Sequence, residues 1–131
     1  MARHMNFNEM SQSEKSCATA VAWWNKSVNR GNSVNQLFDE INFDGSRPDL
    51  ATAEAVYPTM VALYETQVAV RVPNKDAPAQ TAIVANIEYT VGYVGTYTAN
   101  GWVDEIEMMA GGIDLDNAVD VEQANLKSIC N

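Results

Sequence analysis

The sequence predicts an α+β domain in which N-terminal helices pack against a strongly curved antiparallel sheet of long strands. Three observations lead there. Met10, Cys17, Val21, Trp24 and Val28 recur at helical spacing near the start of the chain. From Ile83 to Thr98 the residues alternate without a slip: Ile83, Ala85, Ile87, Tyr89, Val91, Tyr93, Gly95 and Tyr97 on one side, Asn86, Glu88, Thr90, Thr96 and Thr98 with Val84 and Val94 on the other. That period of two belongs to a strand. Asn100-Gly101 then supplies the pair favoured in a two-residue type I′ hairpin.

Taken in order, the apolar stripe predicts an amphipathic helix over residues 9–29, stopped by the Asn29-Arg30-Gly31-Asn32 run. Ser33 can cap a short helix that carries Leu37 and Phe38 inward, and Ile41 to Phe43 reads as a brief strand ended by Asp44-Gly45. Asp49 can cap a third helix over residues 50–57, which Pro58 ends. Alternation from Met60 to Val72 predicts a strand, and the polar stretch 73–80 a loop. The long strand over 81–98 bends at Gly92 and Gly95 and pairs through the hairpin with a strand over 102–109. Past Gly111-Gly112, an acidic stretch of Asp114, Asp116, Asp120 and Glu122 leads into a last helix with Leu126 and Ile129 inward. In the hairpin register Asp104 faces Tyr97, with Tyr93, Trp102, Ile106 and Met108 on the same side.

At 131 residues the chain is one domain's worth. The opening MARHM reads as an expression scar over residues 1–4, which leaves a single domain over 5–131 and removes the only histidine, His4. A net charge of −9 disfavours nucleic acid and anionic membranes and favours a basic partner. No stretch reaches the roughly 18 consecutive apolar residues of a membrane span, so a cytoplasmic location is expected. Cys17 and Cys130 lack CxxC spacing and read as free thiols. Without a histidine, a Ser-His-Asp triad and histidine metal sites drop out. The acidic stretch fails the calcium-loop pattern, because its sixth position is Val119 and its twelfth Asn125. No metal and no cofactor are expected.

The segments "AWWNKSVNRGNSVNQLFDEINFDG" and "TANGWVDEIEMMAGGID" resemble motifs of the NTF2-like superfamily, in its SnoaL-like or ketosteroid-isomerase-like branch. The order of elements is similar too. Two departures stand out: the stretch from Gly31 to Phe38 is two residues shorter than usual, and Asn32 replaces the customary aspartate. The resemblance implies a cone, with helices in the hollow of the sheet, a pocket at the open end and a homodimer across the outer face. Val84, Val94 and Val103 on the polar face would supply that interface.

A carboxylate in an aromatic cone has its charged form desolvated, which suits it to acid-base work. Asp104 is one candidate from the register; Asp44 is the other, because the resemblance places it near the isomerase branch's base. Tyr97 could donate to an oxyanion, and Trp24, Tyr93, Trp102, Tyr89 and Met108 would line the pocket. Trp24 stands where that branch often has a tyrosine, and Met108 where its hydrolases carry an aspartate, which argues against epoxide hydrolysis. The expected function is binding of a small apolar or aromatic molecule, with cofactor-independent isomerase, lyase or cyclase chemistry open. The alternative is a non-enzymatic acidic interaction module for a basic protein partner.

Overall fold

The computed structural model describes residues 15–41, 49–101 and 105–129. Four helices account for nearly all of them: α1 (Lys15–Glu40), α2 (Leu50–Val68), α3 (Ala77–Asn100) and α4 (Glu105–Ile129), with a single 3₁₀ turn at Asn74–Asp76. No strand occurs among the described residues. The fold is a helical bundle, and the expected α+β cone, its curved sheet and the NTF2-like reading are overturned. The brief strand expected at 41–43 lies mostly outside the described residues, as does the start of the first helix before residue 15.

The largest correction concerns residues 81–98. Ile83, Ile87 and Val91 are four apart, so they belong equally to an alternating pattern and to one face of a helix. Burial separates the two readings. Val94, on the supposed polar side, is fully buried, whereas Ala85 and Tyr89, on the supposed apolar side, are only half-buried. Tyr93 apart, the buried residues Ala79, Ile83, Ile87, Val91, Val94 and Tyr97 advance by threes and fours, the helical repeat. Val, Ile, Thr and Tyr give up no more than about 0.7 kcal/mol each in helix propensity, while each buried large apolar side chain contributes roughly 1.5–3 kcal/mol. Packing decides.

Asn100-Gly101 ends a helix instead of turning a hairpin. Gly101 has φ 81° and ψ −1°, and its N–H bonds the Tyr97 carbonyl at 2.8 Å. An Asn-Gly pair serves either role, because both need a residue in the left-handed region.

The other breaks read from the sequence are also run through. Gly31 costs about 1 kcal/mol relative to alanine inside a helix, less than the burial of Val34 and Ile41 beyond it returns. Pro58 has no N–H for the Glu54 carbonyl, yet both residues are exposed and α2 continues to bury Met60 and Gln67. The supposed strand from Met60 is therefore helix to Val68. Two expectations hold in detail: Asp49 caps α2, accepting the Thr52 N–H at 3.1 Å, and Cys17, Val21, Trp24 and Val28 are all buried on α1.

Side-chain contacts give the topology. Tyr64 of α2 bonds Glu88 of α3, and a Cβ at Gly95 would stand 2.7 Å from the Tyr57 hydroxyl, so α2 and α3 run antiparallel. Asn86 bonds Asp116 at 2.7 Å and Tyr89 lies against Gly111, so α3 and α4 do too. Gly31 faces Ile87, and Trp23 reaches Asp76, so α1 runs parallel to α3. This is an up-down-up-down bundle with α3 against all three other helices.

Cys17 is disulfide-bonded, against the expectation of free thiols. The sequence has one other cysteine, Cys130, which lies outside the described residues.

Gly92 gives a clean test of helix against strand. A Cβ there would meet nothing within 4 Å, and the residue is exposed in mid-helix. Gly92→Ala should raise stability by about 0.5–1 kcal/mol in urea melts. A loss of stability would contradict the helix.

Candidate functional site

The polar interior of the bundle is concentrated where α1 meets the connector from α2 to α3. Ser27 and Gln67 are fully buried and Asp76 is 1% exposed. The Gln67 amide donates to the Ser27 hydroxyl at 2.9 Å and to Gln80 Oε1 at 2.8 Å, and Ser27 donates to the Trp23 carbonyl at 2.9 Å. Gln80 in turn donates to the carbonyls of Gln67 (2.7 Å) and Val70 (3.3 Å), which fastens the connector to both helices. Arg30 Nη1 donates to Gln67 Oε1. That bond fixes the orientation of the Gln67 amide, since a guanidinium has only donors and must meet the oxygen.

Asp76 occupies the N-cap position of α3 without bonding the helix's backbone N–H groups. Its Oδ2 instead accepts the Trp23 indole N–H at 3.0 Å, a buried bond between residues far apart in sequence, while Oδ1 has no partner among the described residues. Trp23 packs edge-on against Trp24, with ring centroids 5.6 Å apart and planes at 83°. The indole of Trp23 is thus held at its nitrogen and across its ring.

Over this network lies a groove of about 350 Å³, lined by Thr19, Ala22, Trp23, Lys26 and Arg30 of α1 and by Val70 of the connector. The five α1 residues share one face because they stand at i, i+3, i+4, i+7 and i+11. Its size is at the lower end of small-molecule sites, which run roughly from 300 to 1,000 Å³.

None of the residues singled out from the sequence lines this groove. Asp104, Asp44 and Trp102 lie outside the described residues. Tyr97, expected across from Asp104, is buried on α3; burial pushes its hydroxyl pKa up, and the negative charge of Asp49 adds to the shift. Trp24 is fully buried core, and Tyr93 is buried 5.9 Å from Phe38 between ring centroids. Tyr89 is half-buried against Gly111, and Met108 falls on α4 instead of a strand. The pocket expected among Tyr89, Tyr93, Tyr97 and Trp24 is replaced by packed helix interfaces. Val94, offered for the dimer face, is interior as well.

The residues that do form the groove carried a partial signal in sequence. Trp23, Lys26 and Arg30 lie on one helical stripe beside the core stripe, but the contribution of Val70 and the Gln67 anchor comes from elements remote in sequence. Among the described residues no group of His, Cys, Asp and Glu is arranged to hold a metal ion.

Two outcomes test this description. Asp76→Ala strands the buried Trp23 N–H and should cost about 1–3 kcal/mol in chemical denaturation, whereas Asp76→Asn, which keeps an acceptor, should cost less. Equal costs would contradict the bond. Folding favours the neutral Tyr97 phenol, so its contribution is complete below the unfolded value near pH ~10 and is lost as pH rises through the higher folded value. Urea melts from about pH 8 to about pH 11 should show this alkaline decline, and Tyr97→Phe should flatten it.

No protein-family model matches the chain, and comparison with curated proteins and with solved structures returns no match.

Proposed function

We propose that this protein is a non-enzymatic helical binding module whose groove over α1 receives a small organic molecule. One observation carries the reading: Trp23 and Arg30, the groove's indole and its guanidinium, are each anchored from behind, by Asp76 and by Gln67. Side chains fixed in advance lose less entropy when a ligand arrives. Asp104 and Asp44, expected to carry reaction chemistry, lie outside the described residues, and binding alone is proposed.

The acidic-module alternative has its own feature. On α4, Ile113 is 60% and Val121 58% exposed, with Asp114, Asp116 and Asp120 exposed around them. A basic amphipathic partner would complement that face. The groove, with its fixed indole and guanidinium, is the more specific feature and is preferred.

The Cys17 disulfide supports an oxidising compartment over the expected cytoplasmic one. Among the described residues no helix is long and apolar enough to cross a membrane. Thiol labelling of the protein taken from its source under native conditions would decide: incorporation of label would refute an oxidised protein.

The groove is tested with ¹⁵N-labelled protein and a library of small fragments. Hits should shift the Trp23 indole N–H and the amides of Thr19, Ala22 and Val70 together. Fragments that shift only resonances of Ile113, Asp120 and Val121, or none, would sink the groove reading.

A further inference from the structure

Resting on the reading of the groove as a binding site, we infer that its ligand is a small organic oxyanion: a carboxylate or similar head on an apolar body. The chain is strongly acidic, with 17 Asp and Glu against 8 Lys and Arg. The groove inverts that balance. Among the described residues, the six that line it include two cations, Lys26 and Arg30, and no acidic side chain. Two more cations, Arg71 and Lys75, are exposed on the connector that forms its far edge. The carboxylate of Asp76 is buried behind Trp23, with Oδ2 accepting the indole N–H.

Geometry selects the head group. Arg30 is half-buried and gives Nη1 to Gln67 Oε1. No described residue takes the Nε–Nη2 edge, and two parallel N–H groups on one edge are the arrangement that receives an oxyanion bidentately. Gln67 holds the guanidinium plane because it is itself fixed, by Ser27 and by Gln80. Lys26, one helical turn earlier and exposed, adds a mobile second charge. The remaining lining, Ala22, Val70, the Thr19 methyl and Trp23, offers an apolar wall to the body of the ligand. A neutral amide of the same shape has one carbonyl oxygen for that edge and turns its NH2 donor toward the second N–H, so it satisfies half of the fork and carries no charge to pair with the cation.

The test compares 3-phenylpropionate with its uncharged isostere 3-phenylpropionamide, titrated into the intact oxidised chain and read at the Trp23 indole N–H. The carboxylate should bind at least about tenfold more tightly, the ratio expected of one charge-assisted hydrogen-bonded contact, and the preference should shrink with added salt. Arg30→Gln should abolish the preference. Arg30→Lys, which keeps the charge but loses the fork, should retain part of it. Lys26 is exposed, so Lys26→Gln tests the charge without touching the network and should reduce carboxylate affinity by a larger factor than the amide's. Equal binding of the two probes at the groove overturns the oxyanion assignment and leaves the groove a binding site. Failure of both probes to shift groove resonances, while other fragments do, also overturns the assignment; failure of every fragment overturns both readings.

Discussion

The contact on which the bundle depends is the buried stripe of α3. Ile83, Ile87, Val91, Val94 and Tyr97 face inward along a helix that lies against all three of its neighbours. Each of those neighbours meets it with its own apolar face: Val28 and Val34 from α1, Ala53, Val56 and Met60 from α2, Val119 and Leu126 from α4. A helix in this position must be apolar around much of its circumference, which is why its sequence carries no strong amphipathic signature. Small residues let the neighbours close in. Tyr57 and Tyr89 lie where side chains at Gly95 and Gly111 would otherwise stand.

Against this apolar packing, the polar node around Gln67 is an exception that is satisfied almost completely. Burying an amide without partners would cost several kcal/mol, so Ser27, Arg30 and Gln80 are required once Gln67 is inside. The arrangement ties three elements at one point: α1, the end of α2 and the start of α3. It also leaves a cation fixed at the surface of an acidic molecule. Structure and binding are joined there, because the same hydrogen bonds that satisfy the interior set the face of the groove. The buried Asp76 carboxylate does similar work for Trp23, forgoing the cap of α3 to hold the indole.

The disulfide at Cys17 adds a covalent link near the start of α1. Sequence spacing gave no hint of it. Two cysteines more than a hundred residues apart carry no pattern in the sequence.

What the sequence by itself determined is local. The apolar face of α1 from Cys17 to Val28, the Asp49 cap, the inward Leu126 and the acidic surface were all legible, because each rests on residues within a turn or two of one another. The secondary structure of residues 60–98 was not. Ile83, Ile87 and Val91 satisfy strand and helix periods alike, and Asn100-Gly101 suits a hairpin and a helix C-cap alike. Local preferences there differ by tenths of a kcal/mol, and the choice fell to burial worth several times more. Only the tertiary structure decided that Val94 faces the core and that Trp23, Arg30 and Val70 share a groove, because those facts depend on which distant residues, Gln67, Asp76 and Gln80 among them, are brought against α1.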